Sequence, residues 1–183
     1  MSVYLTSDTH FGHNNVLTYS KRPFASIAEH DEALVTNWNA VVKPGDLVYH
    51  LGDLALCNPI YAASLVARLA GQKFWLLGNH DGKQMQKRCR EFFVKIMHYE
   101  EISYESRKVV LCHYPILSWR AMHHGSVMLH GHCHGNLKPS SAKRIDIGVD
   151  CWKYAPVSLA DAVAAALSKP GEVVDHHKEG ILP

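Results

Sequence analysis

Leu47-Val48-Tyr49-His50-Leu51-Gly52-Asp53 reads as a short buried strand that stops abruptly on an acidic side chain. β-Branched and aromatic residues favour the strand, and Gly52 permits a tight exit from it. The same design recurs along the chain. Ser2–Thr6 leads to Asp8-Thr9-His10, and Lys73–Leu77 leads to Gly78-Asn79-His80-Asp81. Lys108–Cys112 runs into His113, and Ser126–His130 into Gly131-His132-Cys133-His134. Each block places carboxylate, imidazole or amide groups just past a strand, where α/β proteins gather ligands. This donor set suits hard-to-borderline divalent ions rather than a thiolate zinc site. Two such ions a few Å apart are a device for attacking phosphate esters.

Helices separate the early strands. Ile27–Val42 carries an apolar stripe of Ile27, Leu34, Trp38 and Val41, closed by Lys43-Pro44-Gly45-Asp46. Pro59–Leu69 is rich in Ala and Leu, with Gly71 just beyond it, and Lys83–Phe93 is the next expected helix. The second half reads mostly as strands: Val94–His98, Glu101–Tyr104, Lys108–Cys112, Ser126–His130 and Arg144–Val149. Ser158–Leu167 is a helix with Ser158 as its cap and Asp161 in its first turn. The pattern predicts an α/β fold with two face-to-face β-sheets flanked by helices, built as one domain over residues 1–183. The tail from Lys169 is expected to be peripheral.

Composition narrows the function. The chain has 183 residues, 47% of them hydrophobic and 20% charged, as in an ordinary globular protein. A net charge of +2 argues against strong binding of a nucleic-acid polymer or a membrane surface. The excess is in histidine, at 14 residues, the commonest metal ligand. Five scattered cysteines without a C-x-x-C pair argue against a disulfide framework. No basic leader or long apolar stretch precedes Asp8, so the expected compartment is the cytoplasm.

Taken singly, the motifs are weak. An isolated Asp-x-His is commonly a solvated loop, and Asn79 and Asp81 equally suit a turn with a helix cap. Asp8 and His10 flank Thr9, so in an extended segment both point the same way. His132 and His134 share one face by the same rule, between glycines that allow close approach. Asp53 can bridge two ions through its two oxygens.

In this order the five blocks resemble the calcineurin-like metallophosphoesterase superfamily, from Asp8 to His134. The resemblance implies a four-layer α/β/β/α sandwich and two divalent metal ions. Manganese is the expected metal, and iron, nickel, zinc and magnesium are alternatives. It implies a first site of Asp8, His10, Asp53 and His134, and a second of Asp53, Asn79, His113 and His132. His80 matches the general acid or phosphate contact. Two divalent ions outweigh the charge of Asp8, Asp53 and a bridging hydroxide, leaving about one net positive charge for a phosphoryl group. In-line attack by that hydroxide is the implied reaction. The protein-phosphatase signature G-D-x-x-D-R-G is absent, since the segment reads Gly52-Asp53-Leu54-Ala55-Leu56-Cys57. The chain is similar to small bacterial, archaeal and phage members that often act on phosphodiesters.

The expected activity is therefore that of a phosphodiesterase acting on a small or nucleotide-like substrate. The alternatives are a phosphomonoesterase, a nuclease acting on nucleic-acid ends, and a non-catalytic scaffold. Oligomeric state is left open. His13 and Arg22 are candidate phosphate contacts, with a loop histidine and a surface arginine as the plain readings. Trp119 and Arg120 lie on a connection that offers a substrate lip, with Trp119 stacking on a base. His50 reads as a support for the site or a core histidine rather than a ligand. Cys112 and Cys133, which adjoin ligands, read as small buried residues.

Overall fold

The computed structural model describes residues 1–138 and 142–174. Two sheets carry the site. The first has five strands in the order β4-β3-β2-β1-β9. These are β1 (Val3–Thr6), β2 (Leu47–His50), β3 (Gln72–Leu76), β4 (Phe93–Met97) and β9 (Val157–Ser158). Strands β1 to β4 run parallel and β9 is antiparallel to β1. The second sheet has the order β5-β6-β7-β8: β5 (Tyr99–Tyr104), β6 (Arg107–Cys112), β7 (Val127–His130) and β8 (Arg144–Asp146). Strands β6, β7 and β8 are parallel, and β5 forms an antiparallel hairpin with β6.

Period-two alternation assigns the faces. Leu5, Tyr49, Leu51 and Leu76 meet Val109, Leu111, Val127 and Leu129 between the sheets. Their neighbours Val48, Trp75 and Phe93 point the other way, into a core shared with three helices: α2 (Ile27–Val41), α3 (Pro59–Val66) and α4 (Lys83–Cys89). Helix α5 (Leu159–Leu167) adds Leu159, Ala162, Val163 and Ala166 to the core between the sheets. On the far face of the second sheet, Val110 and Met128 are covered by Trp119 and by Met122, which opens a 3-10 turn over Met122–His124. Burying each large apolar side chain contributes roughly 1.5–3 kcal/mol.

Local chemistry sets the boundaries. The Ser26 hydroxyl caps α2 by accepting the Glu29 N–H at 3.2 Å, and the Glu29 carboxylate accepts the Ala25 N–H at 2.8 Å. The carboxylate of Asp46 stops the chain after α2 by accepting the N–H groups of Ser2 and Lys43. Ser158 caps α5 through the Asp161 N–H at 3.0 Å. The expected helix Lys83–Phe93 ends at Cys89, passes through a 3-10 turn at Arg90–Phe92, and gives Phe93 to β4. Four-residue α1 (Val16–Tyr19) and two-residue β9 are additions to the expected elements. Of the tail, Val173 packs against the Trp119 cluster, and residues 175–183 lie outside the described residues. Among the described residues no helix is long and apolar enough to cross a membrane.

Candidate metal centre

Every parallel strand that carries a motif ends on the same edge, and the two sheets join there. Val149 donates its N–H to the Ser7 carbonyl at 3.0 Å, and Ser7 and Gly148 form a parallel bridge. Beyond β1 and β2 the loops stay zipped: Asp8, His10 and Phe11 donate to the carbonyls of Gly52, Asp53 and Leu54. This brings residues from distant parts of the chain into a cleft of about 350 Å³. His10, His13, Tyr19, Asp53, Asn79, His80, His132, Cys133 and His134 are among its lining residues.

Two groups of donors converge in it. Asp8, His10 and His134 form one, and Asp53, His113 and His132 the other. Within each group the donor atoms lie within 4.8 Å of one another. Asp53 stands between the groups, its Oδ2 lying 3.6 Å from His10 Nε2 and 3.6 Å from His113 Nε2. Asn79 Oδ1 lies 3.1 Å from His113 Nε2, so all seven expected ligands meet in one place. The route to convergence differs from the expected one. Asp8, His10, Asp53, His132 and His134 all have left-handed backbone, with φ of 58, 48, 54, 70 and 48°. No extended segment aligns the pairs; individual kinks aim each side chain. Such a conformation costs a non-glycine residue about 1–2 kcal/mol, and strain of this kind clusters at functional sites.

The residues fit a pair of cations. His10 Nε2 is buried without a hydrogen-bond partner, which is costly unless an ion occupies its lone pair. His113 Nδ1 donates to the Leu51 carbonyl at 2.7 Å, which leaves Nε2 bare and facing the Asn79 oxygen. Two acceptors face each other there, an arrangement a shared cation makes favourable. His134 Nε2 and Asp8 Oδ1 lie 3.7 Å apart, too far for a hydrogen bond. Two donors on one tetrahedral ion with bonds of about 2.0–2.1 Å would be spaced similarly. Burial raises the Asp8 carboxyl to about 7 in the metal-free protein and holds His10 and His113 below the ordinary imidazole range. An ion and a proton therefore compete for Asp8.

Supporting groups hold the donors. Asp81 accepts N–H bonds from Asp53, Leu54 and Gly78 at 2.8–2.9 Å and from the Trp75 indole at 3.1 Å. It thereby ties the Gly52-Asp53 turn to the Gly78-Asn79 turn. Burial pushes its own carboxyl up to about 6. Gly52, at φ 95°, has no room for a side chain, since a Cβ would sit 2.6 Å from the Gly78 nitrogen and from His113 Nδ1. A Cβ on Gly131 would run into Ser7 and the Asp8 carboxylate. Thr9 turns away from the cleft, donating to the Leu54 carbonyl and meeting His50 Nε2 at 2.9 Å. His50 is fully buried and burial lowers it to about 3, so it supports the Asp8-Thr9-His10 loop as a neutral core group.

The candidate substrate contacts divide. His13 lines the cleft with its Nδ1 3.3 Å from His10 Nδ1, so it also steadies the His10 ring. Arg22 is not a phosphate fork. Its side chain is buried and turned inward onto Asp150 and the backbone of Asp8 and Thr9. Nor does Trp119 stack on a substrate, because it is buried against Val110, Met122 and Met128 and donates to Ser126 Oγ at 2.9 Å. Arg120 is exposed, pairs with Glu101 at 2.8 Å and does not line the cleft. Cys133 is half-buried and lines the cleft rather than packing in a core, and all five cysteines are unpaired.

Asp150 is the candidate site residue the motifs miss. It follows β8 at the same edge, and its Oδ2 accepts the His134 Nδ1–H at 2.7 Å. The signal is present in Ile147-Gly148-Val149-Asp150, an apolar run, a glycine and an acid, as at Leu51-Gly52-Asp53.

Comparison with known proteins agrees with this geometry. The family model for calcineurin-like phosphoesterases matches residues 1–177. An uncharacterized protein of Methanocaldococcus jannaschii is 36% identical over 181 residues, covering 94% of each chain. The Gene 66 protein of Mycobacterium phage L5 is 28% identical, with 82% of this chain and 87% of the relative covered. A crystal structure of a protein of unknown function from Aquifex aeolicus superposes with a TM-score of 0.73 at 25% identity, over 90% of this chain and 98% of that one. The chain belongs to the calcineurin-like phosphoesterases, metal-dependent hydrolases of phosphate esters.

Proposed function

We propose that this chain is a dinuclear phosphodiesterase acting on a small or nucleotide-like diester. The observation that carries the reading is Asp53, one buried carboxylate oxygen equally spaced from a donor of each group. Asp8, His10, Asp53 and His134 would hold one ion, and Asp53, Asn79, His113 and His132 the other. Manganese suits this nitrogen and oxygen set. When bound, two divalent ions supply an activated water nucleophile and neutralise charge on the phosphoryl oxygens.

The rest falls to the chain's own side chains. His80 lies over the centre, its Nε2 4.0 Å from Asp53 Oδ2, and its side chain is 40% exposed to the cleft. Its main-chain N–H is bound to Asp53 Oδ1 at 2.9 Å, which fixes where the ring stands. Protonated, that ring gives a proton to the departing alkoxide. Five unpaired cysteines suit a reducing cytoplasm.

A diester is favoured by what lines the cleft. Among the described residues that line it there is no lysine or arginine. A monoester dianion brings a second negative charge that such a group would help neutralise, whereas a diester monoanion brings only one. The small volume admits a nucleotide-sized ligand. We expect the manganese-loaded enzyme to hydrolyse bis-p-nitrophenyl phosphate faster than p-nitrophenyl phosphate. The same panel includes cyclic nucleotides, dinucleotides and oligonucleotides. Faster turnover of the monoester, or poor turnover of every diester, contradicts the assignment.

A further inference from the structure

We propose that Arg22 and Asp150 form a positioning relay that sets the affinity of the Asp8, His10 and His134 group for its ion. The inference rests on the metal reading above, and it concerns residues that touch neither ion nor substrate. Arg22 lies just past α1, with its N–H held by the Leu17 carbonyl at 2.9 Å, and its side chain has no exposure.

A guanidinium has five N–H groups, and here each has a partner. Nε donates to Asp150 Oδ1 at 2.9 Å, and Nη2 to Asp150 Oδ2 at 2.8 Å and to the Asp8 carbonyl at 2.7 Å. Nη1 donates to the Thr9 carbonyl at 3.0 Å and to His30 Nε2 at 2.8 Å. Arginine cannot accept, so His30 is the acceptor there and carries its proton on Nδ1, which donates to Asp31 Oδ1 at 2.8 Å. Asp31 in turn accepts the Gly12 N–H at 3.0 Å and the Tyr61 hydroxyl at 2.9 Å. The network therefore grips the kinked loop on both sides of His10: at Asp8 and Thr9 through Arg22, and at Gly12 through Asp31.

The second arm reaches His134. Asp150 accepts the hydrogen bond from His134 Nδ1–H, which Ser20 Oγ also approaches at 3.2 Å, so Nε2 presents its lone pair toward Asp8. A carboxylate behind a ligating imidazole fixes its tautomer and makes it a better donor. Arg22 fixes Asp150 itself by a two-point contact. One guanidinium thus sets both the left-handed turn that aims Asp8 and the orientation of His134. Among the described residues no such connection reaches the His113 side chain, whose Nδ1 donates to the Leu51 carbonyl, and His132 meets this arm only through its main-chain N–H on the Asp8 carboxylate.

The relay predicts a loss confined to one ion. Asn at 150 cannot accept from His134 and from both Arg22 nitrogens, since its amide N–H₂ must face one of these donors. Lys at 22 keeps the charge but lacks the planar fork. Manganese binding is measured on the full chain by equilibrium titration, with free manganese read by electron paramagnetic resonance. In Asp150→Asn one ion should weaken about 10- to 100-fold while the other stays within about 2-fold of wild type. Arg22→Lys should give the same one-sided loss rather than a rescue. In a His134→Ala background Asp150→Asn should cost much less than it does alone, because the arm through His134 is already gone. Equal weakening of both ions overturns the relay, as do unchanged affinities in either folded variant or an additive loss on top of His134→Ala. Failure of the wild-type chain to bind manganese would remove the metal reading together with the relay. Thermal unfolding of the metal-free variants checks that the fold is intact.

Discussion

Asp53→Asn should cut kcat/KM for bis-p-nitrophenyl phosphate by at least about 100- to 1,000-fold, the scale of losing one preorganised charge in an active site. The geometry says why the effect is large. Asp53 Oδ1 is already committed to the His80 N–H at 2.9 Å. Oδ2 alone faces both donor groups, at 3.6 Å from His10 and from His113. A bridge here would therefore rest on one oxygen rather than on two. Asparagine removes the negative charge that both ions would share, and whichever way its amide turns, one required contact meets the wrong group. The variant should lose at least one ion as well as activity. Asp81 holds the main chain of Asp53 and Leu54 from below, so the backbone turn itself should survive. Metal analysis after dialysis and steady-state kinetics on the same preparation check both halves. A variant that keeps two ions and wild-type turnover would show that Asp53 is not the shared ligand.

His80→Ala should keep both ions and lose about 100- to 10,000-fold in rate on esters with poor leaving groups. The side chain faces the cleft, and Nε2 stands 4.0 Å from Asp53 Oδ2, outside the two donor groups. Alkyl and ribose alkoxides leave with difficulty unless protonated, whereas nitrophenolate needs no proton. The loss should therefore grow with the leaving-group pKa across a graded series of esters. Equal losses over the whole series, with metals retained, would make His80 an electrostatic contact to phosphate. Loss of an ion would make it a ligand.

The motifs on the chain foretold the strand ends because each donor follows an apolar strand directly, and parallel strands must end on a common edge. The left-handed turns were hidden. Nothing in Asp8-Thr9-His10 distinguishes an extended alternation from two kinks, because the kinks are paid for by the zipper to Gly52, Asp53 and Leu54. Arg22 reads as a phosphate fork or a surface group because its counter-charge, Asp150, lies 128 residues away. Asp150 lacks the Gly-Asp or Asp-x-His signature of the other blocks, and the expected strand Arg144–Val149 stops at Asp146, which leaves Asp150 in the 3-10 turn beyond it. Trp119 looked available from its place on a connection, but the outer face of the second sheet needed a cover, and the indole provides part of it. Helix α1 and strand β9 are too short to show a period.

One carboxylate, that of Asp53, is expected to join two metal sites. Anomalous diffraction from a crystal of the manganese-loaded protein tests it directly. Two peaks about 3.5 Å apart are expected on either side of Asp53 Oδ2. Asp8, His10 and His134 should surround one, and Asn79, His113 and His132 the other. A single peak, or two peaks with the Asp53 carboxylate bound to neither, would contradict the account.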